Sequence, residues 1–373
     1  AWGYNYLTYI NLKPIYFMEE RKALSNCLEN RHLKVQLSET ASLLSIIDQA
    51  SGRELLGAES NLLQLWEDEP NNWGAWDINH FYRETRPSGV TSARLVPEES
   101  FSYHGRSRVV HLLQIGASTI KQTIELRSDE ALLRFKHEVD WNEHHKMLRV
   151  QFDPGLHATE ATYEIQFGVI KRSTKPKNAW EEAQFEVPAL RFADLSEAGR
   201  GAALINDCKH GYRIRESQME LALLRSPADV DPEADLHSHC YRYAFYPHTG
   251  AYENSDVLPM AHKFNQELDL IPLEHLSYPG SASLYAVNSE HVKLETVKPA
   301  QNGDGIILRF YEFCGKSGNA KLMLQEGCWS WQELDLEESP LEAPSGPHQF
   351  WDIPELDFGP FQIRTFRLKR SAE

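Results

Sequence analysis

His237-Ser238-His239 would place two imidazoles on one face of an extended strand, with Asp231, Glu233 and Asp235 just upstream as oxygen donors, the beginnings of a metal site. Two histidines without a convincing third ligand are a common accident. The plainer expectation is a solvated acidic loop entering a strand, with no metal bound. Trp73, Trp76 and Asp77 bracket a Gly74-Ala75 corner after the acidic run Glu67-Asp68-Glu69. An indole face can stack on the apolar face of a sugar while a carboxylate accepts from its hydroxyls, but aromatics more often fill cores, so a structural corner takes precedence. Arg83 and Arg86 are placed to neutralise Asp68 and Glu69. A third constellation, Asn206-Asp207-Cys208-Lys209-His210-Gly211-Tyr212, is a polar loop in which Gly211 permits a turn with positive φ. A functional loop and an ordinary hairpin end both fit it. Lys209 beside Cys208 could favour a thiolate, yet no base or orienting group accompanies it, so an inert thiol is expected.

Other chemistries are excluded by what the chain lacks. No Gly-rich phosphate loop follows a strand into a helix, and no Gly-x-Ser-x-Gly elbow occurs. The 54 acidic residues outnumber the 38 basic ones for a net charge of −16, which argues against nucleic acid because phosphate binding needs a local excess of Lys and Arg. No apolar run approaches the roughly 20 residues that span a bilayer, so no membrane partner is expected. Cys27, Cys208, Cys240, Cys314 and Cys328 are odd in number and widely spaced, which points to a reducing, cytoplasmic compartment and not to a disulfide framework. The start, Ala1-Trp2-Gly3-Tyr4, has no initiator Met and no signal-peptide pattern, and reads as a fragment or processed piece.

The elements that must position these residues are strands. Leu133, Phe135, Val139 and Trp141 alternate with Arg134, Lys136, Glu138 and Asp140, and His137 interrupts the apolar face. Leu148, Val150 and Phe152 continue beyond the polar Asn142-Glu143-His144-His145, so 131–152 is predicted to be a hairpin. Ile120, Ile124 and Leu126 add a preceding strand of the same meander. Prolines 188, 227, 232 and 247 punctuate further short strands, and helical periodicity is thin, so the chain is predicted to be an all-β sandwich. A boundary is expected near 270–285, at Ser277-Tyr278-Pro279-Gly280-Ser281-Ala282-Ser283, before a second β-unit that includes Val292-Lys293-Leu294, Gly305–Phe310 and Phe361–Leu368. Residues 337–347 read as an exposed loop.

An ordered series of motifs carries a resemblance. Asn61–Ile78 runs from an apolar strand through an acidic turn into Trp73-Gly74-Ala75-Trp76-Asp77. Leu28–Val35, Ser45–Asp48 and Ser51–Leu56 precede it. Lys209–Tyr212, Leu223–Pro227, Asp231–Asp235, Tyr243–His248, Val297–Ala300, Asn302–Gly305 and Pro360–Thr365 follow in order. Together they resemble the C-terminal β-domains of glycoside hydrolase family 38 α-mannosidases, with Gly74 where that family usually has Asp.

The resemblance implies a galactose-mutarotase-like antiparallel supersandwich followed by a small C-terminal β-sandwich. The expected organisation is a leading segment over 1–24, the supersandwich over 25–280 and the small sandwich over 281–373. It also implies that the nucleophile, the acid/base carboxylate and the zinc ligands belong to an N-terminal barrel of the same polypeptide, and that this chain alone has no catalytic residue or cofactor. Retaining hydrolysis needs two carboxyls roughly 5–5.5 Å apart, and no alternating βα pattern able to build such a barrel is present. Trp73, Trp76, Asp77, Asn206, Asp207, Lys209 and Tyr212 become candidates to face that barrel or its pocket for a mannose-containing oligosaccharide, with both segments on one side of the sandwich. The alternative is a free-standing carbohydrate-binding or mutarotase-like sandwich, for which no acid and base pair can be nominated.

Overall fold

The computed structural model describes residues 2–4, 26–69, 72–103, 105–266, 282–324, 328–341, 343, 348–349 and 355–370. Most of the predicted leading segment and connector lie outside these residues, as do 342 and 344–347 of the predicted exposed loop. The chain divides into two compact units, the larger formed by Met18–Glu164 and Ile170–Leu268, the smaller by Ala1–Phe17, Ile165–Val169 and Asp269–Glu373.

In the larger unit an antiparallel sheet of ten strands shares one core with a five-stranded and a three-stranded sheet. Alternation does what the sequence requires of it. In Leu133–Asp140 every second residue from Leu133 is buried, and this strand pairs with Ser118–Leu126 on one side and Ser238–Thr249 on the other, with Phe135 opposite Ile124 and Tyr243. Phe135 stacks on Tyr243 at 4.8 Å, and Phe152 from the five-stranded sheet stacks on Phe245 at 5.2 Å, so side chains of the two sheets interdigitate.

The meander over 118–140 is present, but 131–152 is not a hairpin. Leu133–Asp140 lies in the ten-stranded sheet and Lys146–Phe152 in the five-stranded one, so residues 142–145 carry the chain across the sandwich. Periodicity reports that both strands present an apolar face; it does not say whether they present it to the same core from one side or from two. The corner is built by buried polar contacts: Glu143 accepts from Ala117 N–H at 2.6 Å and Ser118 Oγ at 2.9 Å, Trp141 Nε1 donates to Ser226 Oγ at 2.6 Å, and His145 takes φ +51°.

A nine-residue helix, Val257–Asn265, was not expected from the pattern. Its Val257, Leu258, Ala261 and Phe264 are buried, and the Phe264 ring lies under the guanidiniums of Arg134 and Arg242, both on the ten-stranded sheet. Cation–π contact and a short apolar stripe hold it where a sequence window sees only two turns.

His137, the interruption in the apolar face, is fully buried within a closed polar network. Its Nε2 lies 3.0 Å from Gln122 Oε1 and its Nδ1 3.2 Å from the Tyr241 hydroxyl, while Tyr243 donates to Asn61 Oδ1 at 2.6 Å. Burial pulls its pKa down to about 3. A folded pKa below the unfolded value means that the unfolded chain takes up a proton first, so stability falls as pH drops below about 6.5 towards 3. The slope should approach about 1.4 kcal/mol per pH unit, and His137→Gln should remove that share of it in urea titrations between about pH 4 and 6.5. An unchanged acid slope in His137→Gln would mean that the imidazole is already protonated in the fold. His248 works in the opposite window. Burial alone would lower it, but the Asp194 carboxylate at 2.7 Å raises it, so its contribution is present in acid and lost as pH rises above the ordinary histidine range.

The smaller unit packs two antiparallel sheets. One contains Trp2–Tyr4, Ala282–Asn288, Gly318–Leu324 and Leu356–Phe358; the other contains Val292–Pro299, Ile306–Glu312, Ile363–Arg370, Cys328–Leu334 and His348–Gln349. Phe310 meets Phe358 and Phe366 at 6.4 and 6.0 Å at its centre. The strand at Trp2–Tyr4, at the very start of the sequence, pairs with Ala282–Asn288.

Candidate functional site

Strand register gathers the three constellations at one end of the larger unit. In the five-stranded sheet, the end of Leu62–Glu67 lies beside the start of Lys146–Phe152, which lies beside the end of Gln218–Arg225 and then the start of Gly211–Arg215. In the ten-stranded sheet the end of Arg200–Asn206 lies beside the early part of Ser238–Thr249, with Asn206 opposite Tyr243. The Trp corner, the 206–212 loop and the His237/His239 segment therefore leave the sandwich in the same direction.

The Trp corner is a tight turn. Trp73 adopts φ +60°, and its carbonyl accepts from the N–H groups of Trp76 at 2.8 Å and Asp77 at 3.0 Å. Gly74 is buried, and its N–H donates to Asp229 Oδ2 at 2.7 Å, which binds the turn to the 226–237 loop. Beneath it Asp68, 2% exposed, accepts from Arg225, which also donates to the Asp77 carbonyl. The predicted neutralisation is thus corrected: Asp68 pairs with Arg225, 157 positions further along the chain, while Arg83 pairs with Glu220 and lies 4.7 Å over the Trp66 ring. On this rigid base Trp73 and Trp76 are 71% and 68% exposed, edge to face at 6.1 Å. The Asp77 side chain is exposed and accepts from Ile78 N–H at 2.9 Å.

In the 206–212 loop the polar residues divide. Asn206 and Tyr212 are fully buried, with Asn206 Nδ2 donating to the Tyr212 hydroxyl at 2.6 Å and Asn206 Oδ1 accepting from Lys209 N–H at 2.7 Å. They shape the loop from inside, and neither presents a polar atom to a ligand. Gly211 is not in the positive-φ region; it begins an ordinary strand, where a Cβ would stand 3.2 Å from that of Ala222. Asp207 pairs with Arg242 at 2.9 Å, and the half-exposed Lys209 ammonium lies 4.8 Å above the Tyr241 ring. The Cys208 thiol is pushed up to about 11 by desolvation and the Asp207 carboxylate, the opposite of an activated nucleophile.

The His237 and His239 rings lie with centroids 4.1 Å apart and planes tilted by 35°, and His239 Nε2 hydrogen-bonds the Asp235 carbonyl at 2.8 Å. Asp231 turns back on its own loop, accepting from Glu233 N–H at 3.0 Å. Among the described residues no group of three His, Cys, Asp or Glu side chains is placed to hold a metal ion. Both Arg225 and Asp229 fix the Trp corner, yet the sequence reading places Arg225 only within the Leu223–Pro227 motif, with no role, and passes over Asp229.

The described residues thus form two antiparallel β-units, the larger bearing an exposed aromatic corner at one end. The profile of the glycosyl hydrolases family 38 C-terminal domain matches residues 28–233, and that of the family 38 C-terminal beta sandwich domain matches residues 291–366; the chain belongs to glycosyl hydrolase family 38. It is 36% identical over 365 residues to alpha-mannosidase 2C1 of Homo sapiens, 31% identical over 387 residues to alpha-mannosidase G of Dictyostelium discoideum, and 28% identical over 379 residues to an alpha-mannosidase of Saccharomyces cerevisiae. These matches cover 95%, 96% and 91% of this chain and 34% of each relative, so the chain spans about a third of the length of the curated relatives it matches. In fold it is similar to an alpha-mannosidase from Enterococcus faecalis V583, with a TM-score of 0.74 at 14% identity, covering 94% of this chain and 42% of that one. No helix among the described residues is long and apolar enough to cross a membrane.

Proposed function

We propose that this chain is the non-catalytic C-terminal β-region of a retaining α-mannosidase, bracing an N-terminal catalytic domain of the same polypeptide. The observation that carries the reading is the Trp73/Trp76 pair: two indoles held on a base of Asp68, Arg225 and Asp229 yet left two-thirds exposed. Such a surface is costly to leave in water and suits a covering domain or a sugar ring. Lys209 and Asp207 leave the sandwich at the same end and would face the same pocket for a mannose-containing oligosaccharide. The family implies zinc, but the described residues do not fit it, since no three ligands converge. On this reading zinc is held by the catalytic domain. Five free cysteines suit a reducing, cytoplasmic setting.

The chain by itself should hydrolyse an aryl α-mannoside no faster than a buffer blank, with or without added zinc. Activity that survives repurification would overturn the reading and favour a self-sufficient sugar enzyme. In the enzyme joined to its catalytic domain, Lys209→Ala should change KM for an oligosaccharide while leaving the melting midpoint in place; equal loss of both would make Lys209 a structural residue only.

A further inference from the structure

The sandwich has a second polar feature, away from the Trp corner. It lies where the Arg172–Ser173 end of the edge strand Gly168–Ser173 in the ten-stranded sheet approaches Gly211–Arg215 of the five-stranded sheet, beside the short helix Ala179–Glu182. There Tyr163, Arg172, Glu181, Arg213 and Arg215 line a small cavity of about 10 Å³. That is room for one small body and excludes a sugar.

Its lining is rich in donors. Tyr163 is 2% exposed, and its hydroxyl makes no hydrogen bond among the described residues. Arg172 lies 4.8 Å over the Tyr163 ring, and its buried Nη1 also has no hydrogen-bond partner. Arg215 is held by the carbonyls of Ser173, Glu181 and Gln184 and forms no carboxylate pair among the described residues. Arg213 is paired, at 3.0 Å, with Glu220. The one carboxylate lining the cavity, Glu181, is committed to Lys177 N–H at 2.9 Å and Asn178 Nδ2 at 2.8 Å. Arg172, Arg213 and Arg215 line the cavity with Tyr163, and all three favour the ionised phenol against the larger opposing effect of burial. Glu186 opposes them there, but it is already bound to Arg149 at 2.9 Å and to the Tyr82 hydroxyl at 2.5 Å.

We propose that this cavity is a binding site for a single halide ion, chloride under ordinary conditions, held by Arg172 Nη1, the Tyr163 hydroxyl and the field of Arg213 and Arg215. A monatomic anion matches the one-sided supply of donors, and it satisfies the buried Arg172 Nη1. In a chain of net charge −16, three guanidiniums around one small cavity are a local reversal of sign. Bound there, the ion ties the edges of the two sheets and stabilises the larger unit by mass action.

The test is a thermal melt of the full chain in sodium gluconate against sodium chloride and sodium bromide at matched ionic strength. Chloride and bromide should raise the midpoint in a saturating manner, by about 2–4 °C once the halide stands about fivefold above its Kd. Tyr163→Phe, which removes only the hydroxyl, and Arg172→Gln should flatten that response, while Lys175→Gln, an exposed cation nearby, should keep it. Crystals soaked in bromide should show an anomalous peak within hydrogen-bonding distance of Arg172 Nη1. Equal midpoints in gluconate and chloride, a response that Tyr163→Phe and Arg172→Gln leave intact, or a cavity holding water alone in bromide would each overturn the proposal.

Discussion

Glu220→Gln should destabilise the larger unit by about 3–5 kcal/mol, the cost of breaking a buried ion pair by removing one partner. Glu220 is fully buried on the five-stranded sheet, with Arg149 Nε 3.0 Å from one carboxylate oxygen and Arg213 Nη1 3.0 Å from the other, which Arg83 also contacts. Arg149 is fully buried too and reaches Glu186 at 2.9 Å. Burial works against both charges, but the partners overcome it, holding the Glu220 carboxyl below its ordinary range and the Arg149 guanidinium above its own. Three guanidiniums share Glu220, so its loss leaves a cluster of like charge with nowhere to go. Denaturant titration at about pH 7 measures the loss. Because the folded pKa of Glu220 is depressed, its stabilisation is present above the unfolded carboxylate range and disappears as pH falls below it. The double variant Arg149→Met/Glu220→Leu should lose much less than the sum of the single changes. A single-variant loss below about 1 kcal/mol would mean that water already reaches the cluster.

Arg225→Ala should cost about 3 kcal/mol and release the Trp corner. Asp68 would be left as a buried carboxylate without its cation, and the Asp77 carbonyl would lose its donor. The expected signature is twofold: a lower denaturation midpoint, and less anisotropic tryptophan emission under native conditions from Trp73 and Trp76. Arg225→Lys should recover part of the stability, but not the corner, because one ammonium cannot fork between a carboxylate and a carbonyl as a guanidinium does. A stable Arg225→Ala protein with unchanged emission would show that Asp229 and Gly74 alone hold the turn. A destabilised protein with unchanged emission would place the effect in Asp68 only.

Much of this molecule is legible because strands with a buried face must alternate. Phe135, Val139, Leu148, Val150 and Phe152 are buried as their spacing demands, and the meander from Ser118 to Asp140 follows from short polar turns. What alternation lacks is the identity of the opposing sheet. The 142–145 segment reads as a hairpin turn because a turn within one sheet and a crossing between two sheets both need a short polar run, and the buried acceptor Glu143 that builds the crossing is indistinguishable in sequence from a solvated one. The helix Val257–Asn265 escaped for a related reason, since its stability comes from Phe264 under Arg134 and Arg242, two arginines that lie far apart in the chain.

The candidate site shows the same division. Sequence alone determined that aromatic and polar groups cluster around Trp73–Asp77 and 206–212, that the strands form antiparallel sheets, and that the acidic balance disfavours a polyanionic partner. Only the tertiary structure decided that Asn206 and Tyr212 face inward while Trp73 and Trp76 face out, because exposure depends on which distant strand arrives beside a loop. It also decided which charges pair. Asp68 has Arg83 and Arg86 close by along the chain, yet its cation is Arg225, brought across 157 positions by the register of one sheet. Coulomb energy falls with distance through space and is indifferent to distance along the sequence, so pairing of buried charges is settled by the fold that desolvates them.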